Sequence, residues 1–216
     1  MNKKINIDKI FELIIKEDAP RSIFVNFMEA HVGNPYIVLI ACILSLRTKD
    51  ETTYPATVRM LELAQIPHEM AKIDVEKLAK AIYPVGFYRN KAEQIINLSK
   101  ELVEKYNSKV PCDIDEIVKF KGVGRKTANL VMSRGFDVPA ICVDVHVHRI
   151  FNRIGFLETK EPDETEMVLR DKLPKKYWQI ANTILVTHGQ NTCKPINPAC
   201  ERCVIKDYCQ KKILVK

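Results

Sequence analysis

The chain has few glycines, seven in 216 residues, so left-handed turns and close backbone approaches are scarce. Long apolar runs are also missing. The longest, Ile37 to Leu44, is far short of the roughly 20 residues that span a bilayer. Met1 to Lys9 contains no hydrophobic signal core, so a cytoplasmic protein with no membrane association is expected. Alternating strand patterns, internal repeats and low-complexity linkers are scarce or absent, and composition marks no domain boundary. With 46% hydrophobic and 28% charged residues, the chain can bury a core and is not disordered. An odd total of seven cysteines and no export signal argue against a disulfide framework.

What is present is helical. Ile7, Ile10, Phe11 and Ile14 form one apolar stripe, and Val147, Ile150, Phe151 and Ile154 form another. A third runs through Ala92, Ile95, Ile96 and Val103, inside a segment from Asn90 to Tyr106. Ile37 to Leu44 reads as a buried helix opened by Asn34 and Pro35. The predicted class is all-α. The net charge of +7 favours a polyanionic partner, most simply nucleic acid, although a lysine-rich soluble surface gives the same number.

Two of the glycines flank a single valine in Gly122, Val123 and Gly124, followed by Arg125, Lys126 and Thr127. Ahead, Asp113 and Glu116 have capping-box spacing, with Ile114, Ile117 and Val118 on one face. Behind, a helix is predicted from Arg125 to Arg134, stopped by Gly135. A P-loop does not fit. No glycine stands five residues before Gly124, Arg125 breaks the Gly-Lys-Thr order, and no strand precedes it. A helix-hairpin-helix over about 113–135 fits better. Its glycines admit a DNA backbone, and its second helix presents N–H groups to phosphate. A plain helix connection is the simpler alternative.

Four cysteines crowd the C-terminus: Cys193, Cys200, Cys203 and Cys209, separated by six, two and five residues. Cys42, Cys112 and Cys142 are scattered among apolar neighbours and read as core or incidental thiols. Structural zinc usually takes two closely spaced cysteine pairs, and only Cys200 and Cys203 make one. Unequal loops suit a [4Fe–4S] cube better, with zinc as the rival. Pro195 and Pro198 keep the first loop extended.

Together these pieces resemble the endonuclease III family of base-excision DNA glycosylases, within the helix-hairpin-helix superfamily. The matching stretches are Leu44 to Asp50, Gly86 to Ala92, Gly122 to Ala128, Val143 to Val147, His188 with Gly189, and the cysteine cluster. They are colinear over nearly the whole chain. The resemblance implies two α-helical domains with a DNA cleft between them. A six-helix barrel domain (28–137) would carry the helix-hairpin-helix, and residues 1–27 and 138–216 would form an iron–sulfur cluster domain. It implies a [4Fe–4S] cofactor on Cys193, Cys200, Cys203 and Cys209, and a monomer acting on double-stranded DNA with damaged bases or abasic sites. The activity implied is removal of oxidised pyrimidines, then cleavage 3′ to the abasic site by β-elimination through a lysine Schiff base.

The resemblance makes Lys126 the nucleophile and Asp144 the catalytic carboxylate. Chemistry agrees for Lys126, since a helix N-terminus and Arg125 both disfavour its ammonium. Asp144 is also a good N-cap for the helix that follows, and both roles can hold at once. DNA contacts are expected from Arg47, Lys49, Gly122, Val123, Gly124, Arg125 and Lys194, with Arg202 a further candidate. Relatives commonly carry glutamine where this chain has Arg47, a planar group that can plug a vacated base position and match guanine. A phosphate contact is the plainer role for it. His146, His148 and His188 have no metal-ligand spacing and read as packing and hydrogen-bonding residues. Two other functions stay open: a uracil or thymine-mismatch glycosylase on the same frame, and a DNA-binding module without catalysis.

Overall fold

The computed structural model describes residues 5–211, and these contain twelve α-helices and no β-strand. None of the described helices is long and apolar enough to cross a membrane. The chain divides into two units: Met1–Arg21 with Ile141–Lys216, and Ser22–Ala140.

The first unit is built on α1 (Ile7–Ile15) and the C-terminal third of the chain. The second unit holds α2 (Ile23–Ala30), α3 (Pro35–Ser45), α4 (Asp50–Leu63), α5 (Pro67–Met70), α6 (Val75–Ile82), α7 (Tyr88–Lys105), α8 (Ile114–Ile117) and α9 (Arg125–Leu130). The chain then returns to the first unit with α10 (Val145–Ile154), α11 (Pro162–Lys172) and α12 (Trp178–Asn191). The expected boundaries after residues 27 and 137 move to 21 and 140. A cut after Phe27 would split α2, whose Phe24, Phe27 and Met28 all enter the core of the second unit.

Local chemistry starts most of these helices. Asn6, Ser22, Asn34, Asp74, Asp113 and Asp144 each accept a hydrogen bond from a backbone N–H of the first turn. Such a cap is worth about 1 kcal/mol. The capping box forms only by half. Asp113 caps the amides of Asp115 and Glu116, while Glu116 takes the Tyr106 hydroxyl and the Lys119 ammonium.

In the second unit α3 is the central element, with every residue from Tyr36 to Leu44 buried. It packs against α4, α7, α9 and the turn that follows α9. In the first unit α10 packs against α12, and Ile10, Phe11, Ile14, Val147, Ile150, Phe151 and Ile154 share one core. Each fully buried side chain of this kind contributes about 1.5–3 kcal/mol. The predicted helix from Arg125 to Arg134 is not uniform: α-helix ends at Leu130, and Val131–Gly135 forms a π-helical turn.

Candidate functional site

The hairpin between α8 and α9 divides the work of its two glycines. Gly122 has φ +75°, and a Cβ there would lie 2.8 Å from the Gln94 amide nitrogen, which donates to the Lys121 carbonyl. The positive φ favours glycine at 122 for the sake of the protein's own backbone. Gly124 has an extended backbone, and a Cβ there would meet nothing within 4 Å. The open space is on the approach to the α9 N-terminus, where no side chain caps the helix. That combination suits an incoming phosphate. Val123 buries its side chain (6% exposed) and gives its N–H to the Phe120 carbonyl, so it pins the hairpin from inside.

Lys126 stands exposed on the first turn of α9, with Arg125 half-buried beside it. Burial pushes the Cys42 thiol of α3 up to about 12, and the Lys126 ammonium pulls it back. Arg47 and Lys49, both exposed, lie on the turn between α3 and α4 of the same unit. Arg47 has φ +53°.

Asp144 belongs to the other unit. Its Oδ1 accepts the amides of both His146 and Val147 at 2.9 Å, which makes it the N-cap of α10. Its Oδ2 takes no hydrogen bond among the described residues. One oxygen therefore serves as the helix cap. The Arg149 guanidinium sits one turn on. Burial lowers its pKa, and the thiol of Cys193 and the carboxylate of Asp144 act in the opposite sense.

Helix α10 is also tied to the cysteine segment. Arg149 donates to the Cys193 carbonyl through Nε at 3.3 Å and Nη2 at 3.0 Å. Arg153 donates to the Lys194 carbonyl at 2.6 Å and the Pro195 carbonyl at 2.7 Å. The helix that Asp144 caps is thus bound by two arginines to the first cluster loop, a link the sequence does not announce. Lys194 keeps an exposed side chain, and so does Arg202.

Cys193, Cys200, Cys203 and Cys209 line one hollow, walled by Ile150, Ile154, Pro198 and Ile205. Burial pushes the Cys203 thiol up to about 11 and raises Cys209 as well. Metal binding must displace those protons. The donor set is all thiol and the walls largely apolar, which fits an iron–sulfur cluster. Among the described residues no three His, Cys, Asp or Glu side chains form a group able to hold a metal ion. A cube spreads its thiolates over several irons and does not need them to meet at one.

The histidines are hydrogen-bonding residues. His146 Nδ1 accepts from Arg149 Nη2 at 3.0 Å. His148 Nδ1 lies 2.6 Å from the Thr165 hydroxyl, and burial lowers its pKa. His188, 1% exposed, lies 2.6 Å from Glu17 through Nδ1 and 3.8 Å from Cys203 Sγ through Nε2. Burial works against the Glu17 carboxylate, but bonds from His188 and Thr192 outweigh it and hold the carboxyl below its usual range. Sequence reasoning missed Glu17, which is nothing more than an acidic residue after α1 until the fold brings it to His188.

The model of the HhH-GPD superfamily base excision DNA repair protein matches residues 40–175. That of the iron–sulfur binding domain of endonuclease III matches residues 193–209, the cysteine segment. Endonuclease III of Thermotoga maritima is 45% identical over 195 residues, covering 90% of this chain and 92% of that one. A solved non-covalent endonuclease III–DNA complex superposes with a TM-score of 0.81 at 35% identity, over 96% of this chain and 97% of the other. A trapped endonuclease III–DNA covalent intermediate does so with a TM-score of 0.79 at 34% identity, over 96% and 97%.

Proposed function

Since the chain belongs to the HhH-GPD superfamily of base excision DNA repair proteins and is an endonuclease III-like DNA glycosylase and abasic-site lyase, we propose that it removes oxidised pyrimidines from duplex DNA as a monomer. Lys126 is the nucleophile in this reading and Asp144 the carboxylate. The observation that carries the assignment is the divided Asp144 carboxylate. Two backbone amides fix Oδ1, so Oδ2 can serve a substrate without giving up the helix cap.

The damaged nucleotide leaves the stack, because its C1′ is unreachable within the duplex. The α9 N-terminus and Arg125 disfavour the Lys126 ammonium, so it gives up its proton to water and the free amine attacks C1′. The C1′–N bond breaks and the base departs with its electron pair. Asp144 steadies the positive charge that develops on the sugar. The sugar ring opens at C1′–O4′ to leave a protonated Schiff base on Nζ. Loss of a C2′ proton then expels the 3′ phosphate, cutting the strand, and water later frees Lys126. That a covalent endonuclease III–DNA intermediate has been trapped for a structural neighbour supports a covalent route. Cys193, Cys200, Cys203 and Cys209 would hold the [4Fe–4S] cluster, which would staple their segment.

Arg47 occupies the space left by the extruded nucleotide in this reading, where its planar group favours an orphaned guanine. Gly122, Gly124, Arg125, Lys49 and Lys194 hold the backbone. Binding to undamaged duplex should weaken steeply with salt. Arg125→Ala or Lys194→Ala should each flatten the log–log slope by about one. An unchanged slope in both would move the DNA surface elsewhere.

The substrate assignment is tested on a panel of duplexes carrying an oxidised pyrimidine, uracil, thymine opposite guanine, or an abasic site. Single-turnover excision should be fastest on the oxidised pyrimidine, with cleavage at the abasic site. Faster excision of uracil or mismatched thymine would assign the protein to mismatch repair.

A further inference from the structure

Lys91 lies in the first turn of α7 and is 5% exposed. A lysine that deep needs partners, and its Nζ has three. It donates to the Leu44 carbonyl at 2.7 Å, the Leu46 carbonyl at 2.6 Å and the Thr48 hydroxyl at 3.1 Å. An ammonium has three protons, so its capacity is filled. The two carbonyls belong to the end of α3, where acceptors are left over and the helix dipole is negative. Burial pulls the Lys91 ammonium down to about 8, so these oxygens hold a charge that its surroundings otherwise oppose.

What Lys91 grips is the turn Ser45–Thr48. Thr48 N–H donates to the Ser45 carbonyl at 3.1 Å, Leu46 has φ −58° and ψ 121°, and Arg47 has φ +53°. This is the pattern of a type II turn, with an arginine where glycine or asparagine is expected. A non-glycine residue holds that conformation only when its surroundings enforce it, and such strain gathers at functional sites. A second clamp comes from Gly86, whose N–H donates to the Thr48 hydroxyl at 3.2 Å. A Cβ at Gly86 would approach the Arg47 carbonyl to 3.1 Å, so the two backbones lie in contact.

We propose that Lys91 is a positioning residue: its ammonium locks the Ser45–Thr48 turn so that Arg47 is presented in one direction to the base opposite the lesion. The proposal rests on the role given to Arg47 above. Lys91→Met keeps an unbranched apolar stem, one atom shorter, and removes the charge and the donors.

The test joins hydrogen exchange over residues 45–49 with single-turnover excision of one oxidised pyrimidine opposite each of the four bases. In Lys91→Met, exchange over the turn should quicken by about tenfold or more while the rest of α3 and α7 stays protected. Its opposite-base preference should fall to that of Arg47→Ala, and the double variant should be no worse than either single one, as expected of two residues acting as a unit. Unchanged exchange, or a full preference retained in Lys91→Met when Arg47→Ala has lost it, overturns the proposal and leaves the Arg47 reading standing. If Arg47→Ala keeps the wild-type preference, the Arg47 reading falls, and with it the specificity role of Lys91. Should Lys91→Met fail to fold, Thr48→Val removes one anchor and is read in both assays. Wild-type exchange and preference in that variant overturn the proposal equally.

Discussion

Lys126→Ala should lose strand cleavage by roughly 10³-fold or more and give no adduct with abasic DNA under borohydride, because the covalent route has no other nucleophile. Binding to undamaged duplex should weaken by less than about tenfold, the weight of a single surface contact. The expectation follows from where Lys126 stands: exposed, on the first turn of α9, past a hairpin whose Gly124 leaves the helix end open. Asp144 gives a companion result. Asparagine caps a helix as well as aspartate does, so Asp144→Asn should retain the melting temperature while losing excision. Asp144→Ala should lose excision and also about 1 kcal/mol of stability. Wild-type trapping in Lys126→Ala would remove that lysine from the chemistry. Equal activity in Asp144→Asn and wild type would reduce Asp144 to a cap.

Cys203→Ser should cost the cluster, and with it the order of the whole C-terminal segment. Purified wild-type protein should be brown and carry about four irons per chain. From Lys194 to Lys211 the one hydrophobic side chain described as buried is Ile205. Its contribution, about 1.5–3 kcal/mol, is matched by the entropy of ordering only a residue or two. The cluster must therefore hold the loop. The damage should not stop there. Without an ordered loop, Arg149 and Arg153 lose the carbonyls of Cys193, Lys194 and Pro195 that tether α10. Because Asp144 caps α10, Cys203→Ser should lower excision together with solubility, while α10 and α12 keep their helical signal. Iron content, near-ultraviolet absorbance and single-turnover rate on one preparation decide it. Stoichiometric zinc without iron in anaerobically purified wild-type protein would refute the cluster. A colourless variant with full activity would show that the loop does not support Asp144.

Some of this was determined by the sequence alone. Apolar stripes and capping residues act over three or four positions, so Ile10, Phe11 and Ile14, or Asn34 ahead of α3, specify helices before any tertiary contact forms. The four cysteines lie within 17 consecutive residues, so their spacing could announce a shared ligand, and the match of residues 193–209 agrees. Gly122 and Gly124 stood out for the same reason, each being marked by its immediate neighbours, whereas Lys126 and Asp144 stood out through the family resemblance of the motifs that hold them. The tertiary structure decided the rest. It determined which glycine of the hairpin the protein needs and which it leaves open. It tied α10 to residues about 40 positions away through Arg149 and Arg153. It also brought Lys91 to Leu44, Leu46 and Thr48, over separations of 47, 45 and 43 residues. Those contacts depend on how helices pack, and packing chooses among many distant partners of similar chemistry. A buried lysine and a surface lysine are written the same way in a sequence; only the surrounding fold distinguishes them.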